Sequence, residues 1–205
     1  LATTAIAHFG RIDVWINAAG ASALGRFDRT PLAAHRRVID TALCGALHGA
    51  YTVLPHFRAR GQGVFIQPVG LNAWVPRPDA TAANAAQAGL RGLCASLRAE
   101  MAPWPGVQVC EVLTSAIDTP GWRLQANYTG HRMRPAGPLL DAHRVAQVLV
   151  AVARRPRAHT RVGWPVWPAR WGQALLPGAW QRGWRWAQAL LRRRAPAAPG
   201  DARPA

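Results

Sequence analysis

Apolar positions along this chain follow two alternating rhythms. Short, nearly continuous apolar runs bounded by glycine or proline alternate with longer segments that are apolar every third or fourth residue. The short runs Ile12–Asn17, Val64–Val69 and Val107–Leu113 predict strands, the first of them a buried parallel one, and Thr160–Gly163 could form a short last strand. The longer segments predict helices over Leu1–Phe9, Pro31 to about Arg60, about Asp79 to Ala102, and Asp141 through Arg154. Pro31 suits a first helical turn, while Asp79 and Asp141 suit N-caps. Gly61-Gln62-Gly63 stops the second helix, and Thr114–Pro138 reads as irregular apart from a short helix near Trp122–Ala126. Strand and helix alternating across short connections predict an α/β fold with a parallel sheet.

The rhythm changes at Trp164, where tryptophan, proline, arginine and glycine take over. Three regions are therefore expected: an α/β domain over 1–163, a basic tryptophan-rich helical extension over 164–194, and a disordered Pro/Ala-rich tail over 195–205. On a helix Ala179–Arg194, Trp180, Trp184, Trp186, Leu190 and Leu191 share one apolar arc, with Arg182, Arg185, Arg192 and Arg193 opposite. Such a helix suits an anionic membrane surface, and equally suits packing on its own domain or on a partner subunit.

Charge and chemistry narrow the picture less than they first promise. The net charge is +16, and all 25 basic residues are arginine. Lysine is absent, which closes every mechanism that needs a lysine amine. The arginines are dispersed, and no helix-turn-helix, zinc-finger or RNA-binding signature accompanies them, so specific nucleic-acid binding is not expected. Cys44, Cys94 and Cys110 are odd in number and far apart, which predicts buried reduced thiols, and no metal site is expected. No secretory signal and no membrane-spanning apolar run is visible, so a cytoplasmic location is expected, with peripheral membrane contact through 179–194 as the variant.

The stretch Asp13-Val14-Trp15-Ile16-Asn17-Ala18-Ala19-Gly20 resembles the Asn-Asn-Ala-Gly strand end of the short-chain dehydrogenase/reductase family. The resemblance runs from about Ala5 to Gly163 and implies a partial Rossmann-type, doubly wound parallel sheet with its first strands missing. It also implies oxidoreductase chemistry with NAD(P). In that family a tyrosine, a lysine four residues on, a serine and an asparagine cooperate around the nicotinamide, because a phenol near pKa 10 needs an adjacent positive charge to work near neutrality. Here Val38–Gly45 resembles the helix motif with Ala42 in the asparagine's place. Val64–Gly70 resembles the serine-bearing strand with Gly70 in the serine's place. Ala83-Asn84-Ala85-Ala86-Gln87 matches the Tyr-x-x-x-Lys segment, with Ala83 for tyrosine and Gln87 for lysine. No catalytic residue is therefore expected, and the chain resembles a pseudoenzyme.

For the cofactor, the resemblance leaves Asn17, Ala19 and Gly20 as a vestigial border and Thr119 as a contact to the nicotinamide carboxamide. Thr119 could equally cap the short helix after Pro120. No Gly-x-x-x-Gly-x-Gly occurs, and the sequence opens inside a helix pattern, so NAD(P) binding is doubtful and a truncated domain is expected. Tyr128 could replace the proton donor if Arg132 or Arg134 lowered its pKa. The helices 31–60 and 79–102 correspond to those that pair in the family's homodimers, and Ala82, Ala83, Ala86 and Gly89 offer a flat face for such pairing.

Overall fold

The β-period of the short runs and the helical period of the long ones resolve into a parallel sheet with helices on both faces. The computed structural model describes residues 1–131 and 139–163, with isolated positions between 171 and 186. In chain order the elements are α1 Ala2–Phe9, β1 Val14–Ile16, β2 Ala23–Leu24, α2 Leu32–Ile39, α3 Gly45–Arg60, β3 Gly63–Gly70, α4 Thr81–Glu100, β4 Val107–Thr114, α5 Gly121–Leu124, β5 Ala126–Asn127, α6 Ala142–Arg154 and β6 His159–Val162.

The main sheet has the order β1-β3-β4-β6, and every pairing in it is parallel. Its centre is the long β3–β4 ladder, which runs from Gly63 opposite Val107 to Gly70 opposite Thr114. Alternation along these two strands sends successive side chains to opposite faces. On one face Phe65, Val107 and Val109 pack against Val53, Leu54 and Phe57 of α3 and Cys94 of α4. On the other, Ile66, Cys110 and Val112 meet Val145 and Val152 of α6. Each such apolar side chain contributes about 1.5–3 kcal/mol by leaving water.

The predicted helix from Pro31 is present but not uniform. Pro31 sits at the N-cap of α2, and Asp40–Cys44 forms a π-helical turn between α2 and α3. At the far end Gly61 has φ 70°, a left-handed conformation that stops α3 without the penalty a side chain would bring. Asp141 caps α6 as predicted: its carboxylate accepts from the N–H groups of His143 at 3.2 Å and Arg144 at 3.3 Å.

Asp79 does not cap α4. It has φ 62°, and its carbonyl accepts the N–H of Gly25, while α4 begins after Ala80 with no side-chain cap. Held in that turn, Asp79 ties the loop before α4 to the segment after β2. A second small sheet also differs from the predicted irregular stretch: β2 and β5 pair in parallel, Ala23 opposite Ala126. Two-residue strands leave no legible period. The three cysteines are free, with Cys94 and Cys110 buried as expected, but Cys44, in the π-helical turn, is only half-buried. Burial, with the nearby Glu111 charge, pushes the Cys94 thiol up to about 12. Among the described residues no helix is long and apolar enough to cross a membrane. The basic face of Ala179–Arg194, the tail 195–205, Arg132 and Arg134 lie largely or wholly outside the described residues.

Candidate active-site region

The fold brings the four family positions to one end of the sheet. Gly70 is the last residue of β3, Ala42 lies in the π-helical turn, and Ala83 and Gln87 occupy the first turns of α4. One helical turn separates Ala83 from Gln87, so both side chains share a face. Ala42 is buried.

Two separate sets of amide hydrogen bonds lie around these positions. The Gln87 Oε1 accepts the Gly70 N–H at 2.7 Å, so the β3 end is bonded to α4. A Cβ added at Gly70 would stand 2.7 Å from Asn72 Oδ1, so a side chain there requires the Asn72 amide to turn away. Asn72 donates through Nδ2 to Asn84 Oδ1 at 3.3 Å. Asn84 in turn clamps the loop: its Nδ2 donates to the Arg77 carbonyl at 2.7 Å, and its Oδ1 accepts the Arg77 N–H at 3.3 Å. Ala83 packs in an apolar group with Ala23, Val38, Ala82 and Tyr128. Carboxamides neither gain nor lose a proton near neutrality, and alanine and glycine offer no polar side-chain atom. Asn72, in the loop after β3, and Asn84, one residue past the tyrosine position in the first turn of α4, were not singled out from sequence.

Tyr128 approaches this region through its backbone N–H, bonded to the Leu24 carbonyl at 2.6 Å, and its ring shares the apolar group of Ala83. The two arginines proposed to activate it lie outside the described residues.

The cofactor border divides. Asn17 is only 8% exposed and turns into the sheet, where its Nδ2 donates to Gln67 Oε1 at 3.0 Å and its N–H to the Ile66 carbonyl at 3.0 Å. Gln67 itself is fully buried and donates to the Pro68 carbonyl at 2.8 Å. This buried amide pair links β1 to β3; the lone polar residue in the Val64–Val69 run was its signal. Ala19 and Gly20 are exposed beyond the strand end, and Thr119 is exposed after β4. The N-cap of α5 is Pro120, with no side-chain cap bond. The residues that would face a nicotinamide ring do not fit its chemistry: the lysine position spends its acceptor on Gly70, and no hydroxyl stands at positions 42, 70, 83 or 87. No step through that cofactor follows from them.

The family model described as short chain dehydrogenase matches residues 1–127. A putative oxidoreductase, SadH, of Mycobacterium tuberculosis is 33% identical over 100 residues, covering 49% of this chain and 36% of that protein. The 3beta-hydroxysteroid dehydrogenase 1 of Eggerthella lenta is 32% identical over 117 residues, 57% of this chain and 44% of that one. The match thus spans less than half the length of either relative. Among solved structures, a short-chain dehydrogenase from Streptomyces avermitilis superposes with a TM-score of 0.69 at 23% identity, covering 92% of this chain and 74% of that chain. The 3-ketoacyl-(acyl-carrier-protein) reductase from Brucella melitensis, complexed with NADH, gives 0.67 at 21% identity, covering 78% and 69%. These structures share the Rossmann-like parallel sheet, and the family match extends over more than half of the sequence: the chain belongs to the short-chain dehydrogenase family.

Proposed function

We propose that this chain keeps the family's oxidoreductase fold without its hydride-transfer chemistry and acts as a binding module. The observation that carries this is the 2.7 Å bond from Gly70 N–H to Gln87 Oε1. In support of the reading, a neutral amide, already engaged, stands at the position that resembles the family's lysine. Losing general acid–base help alone lowers a rate by about 10²–10⁴. The test is direct: purified chain, NADH or NADPH, and a panel of aliphatic, aromatic and steroid ketones, followed at the nicotinamide absorbance. Nucleotide consumption above the protein-free blank overturns the proposal, and calorimetric titration with each nucleotide reports binding separately from turnover.

Three associations go with this reading, each with its own observation. Among the described residues β1 is paired on one side only, and Val14 and Ile16 are exposed. Such an edge favours pairing with a strand from a further segment or a partner chain; an NAD(P)-dependent oxidoreductase completed in that way is the alternative to the reading above. Rapid hydrogen exchange at the Val14 and Ile16 amides of the monomeric chain counts for an open edge, and slow exchange counts against it. Homodimerisation is favoured by Leu47 and Tyr51, which stand one turn apart on α3, with Tyr51 85% exposed. The small-residue face serves another purpose: Ala82 and Ala86 are buried within the chain, and Gly89 lies against Leu43. Contact with an anionic membrane surface through 179–194 is favoured by Trp186, which is 80% exposed. Vesicle co-sedimentation unchanged by deletion of 179–205 disposes of it.

A further inference from the structure

A tight turn before α2 holds two large apolar side chains in solvent. The 3₁₀ turn Phe27–Arg29 leads to Thr30, which is buried and bonds the Arg26 carbonyl twice, through Oγ1 at 2.9 Å and N–H at 3.0 Å. Those bonds close the turn on the protein side and leave Phe27 outside. Its ring stacks on His35, centroids 4.9 Å apart, yet Phe27 remains 64% exposed. The His35 Nε2 also lies 3.2 Å from the Phe27 carbonyl, which fixes the turn against α2. Leu32, 61% exposed, stands one helical turn before His35 and Arg36, so Phe27 and Leu32 flank His35 on one surface that Arg36 borders.

Arginine rims this tip. Arg26 and Arg29 bracket Phe27 with exposed side chains, and Arg36 and Arg37 are exposed on α2. The one carboxylate among them is Asp28, which Arg26 holds at 3.0 Å. Residues 26–37 thus carry net +3, whereas a chain of 205 residues with net +16 would place about one charge in that length. Other exposed apolar pairs within residues 1–163 lack such a rim. Leu47 and Tyr51 lie in a stretch, 41–57, without arginine or carboxylate. Leu1, Phe9, Val14 and Ile16 have only Arg11 within their stretch, and Asp13 holds it at 3.1 Å. Around Leu124 the sequence sets Asp118 against Arg123. Arginines alone suit any polyanion, and Leu32 decides the class. A nucleic acid can stack on Phe27 but gains nothing from an aliphatic side chain, while the headgroup–acyl boundary of an anionic bilayer takes ring, aliphatic chain and guanidinium together.

We propose that Phe27 and Leu32 insert into the headgroup–acyl boundary of an anionic lipid bilayer, with Arg26, Arg29 and Arg36 on its phosphates. This contact is separate from 179–194 and does not depend on the loss of hydride transfer. The full chain is titrated with phosphatidylglycerol and with phosphatidylcholine vesicles, followed by co-sedimentation and by hydrogen exchange. Binding to phosphatidylglycerol should exceed binding to phosphatidylcholine by about tenfold or more, and the anionic vesicles should slow exchange across 25–37. Each of Arg26→Gln, Arg29→Gln and Arg36→Gln should weaken binding about fivefold, and Phe27→Ser combined with Leu32→Ser about tenfold. Val150→Ser, at an exposed apolar position on α6, should change nothing. If the double variant fails to fold by circular dichroism, the arginine variants and the exchange pattern decide. No binding to phosphatidylglycerol, equal binding to phosphatidylcholine, binding unchanged by the double variant, or protection that omits 25–37 overturns the proposal. Lipid-free self-association that the double variant abolishes would assign the tip to a second copy and overturn it as well.

Discussion

Restoring the family's lysine at position 87 should destabilise this protein rather than repair it. The Gln87→Lys change converts an acceptor into a donor opposite another donor, because Gln87 Oε1 now receives the Gly70 N–H at 2.7 Å. A neutral hydrogen bond of this kind contributes about 0.5–1.5 kcal/mol net, and leaving a buried donor without a partner costs about 1–3 kcal/mol. Both residues are only partly buried, so water takes over some of the lost bond and the lower half of that range applies. The expected loss is about 1–2 kcal/mol, which for a chain of this size lowers the midpoint by about 2–8 °C. Gln87→Glu supplies the control. It keeps an oxygen in place and should stay within about 1 kcal/mol of the parent. Thermal and urea unfolding followed by circular dichroism measure both. A Gln87→Lys protein that melts at or above the parent temperature would refute the claim that this amide hydrogen bond is part of the fold.

Other expectations follow from the same geometry. Phe57→Ala removes a fully buried ring between α3 and the start of β3 and should cost about 3–5 kcal/mol by urea unfolding; a cost near zero would mean the site is not packed as described. Gln67→Leu strands Asn17 Nδ2 in a buried position and should cost about 1–3 kcal/mol, while the Asn17→Ala, Gln67→Leu pair should cost less than the sum of the two single changes in a double-mutant cycle. For Cys94 the folded thiol titrates near 12, against 9.0 when unperturbed, so between those values the unfolded chain loses its proton first. Stability from this group is intact below about pH 9 and falls as pH rises toward 12; urea midpoints that do not fall more steeply for the parent than for Cys94→Ala over that window would count against it. Tyr51→Glu places a charge on the exposed α3 surface and should halve the mass seen by light scattering if the chain dimerises there, with an unchanged melting temperature.

The sheet was legible because parallel strands buried on both faces write near-continuous apolar runs, as in Val64–Val69 and Val107–Leu113, and all four runs became strands of one sheet. Asp141 was legible for a local reason, since a cap needs only its own helix end. Asp79 has the same residue type in front of a helix, yet the Gly25 N–H bonds its carbonyl and holds it at positive φ. That contact joins residues far apart in sequence, and no local pattern encodes it. The β2–β5 pair failed to show for the same reason. At the candidate site the substituted positions could be numbered from sequence, but their partners could not. That Gln87 would bond a strand-end amide, or that Asn84 would clamp Arg77, depends on where the proline-rich loop folds back.

The two polar clusters of this domain suggest why the fold tolerates the proposed loss of chemistry. The apolar groups that hold α3, α4 and α6 to the sheet centre on Phe57, Phe65, Ile66 and Val112, none of which belongs to the family's catalytic set. Catalytic groups sit at strand ends, where polar atoms must otherwise find partners of their own. Here the Gly70 N–H and the loop backbone at Arg77 find them in Gln87 and Asn84. An amide at 87 satisfies the strand end without a charge to desolvate, which a lysine lacking its tyrosine and nucleotide partners would not do. Under the proposed loss of hydride transfer, the amide at 87 meets the strand-end N–H of Gly70 at a position outside the apolar groups that hold the helices to the sheet.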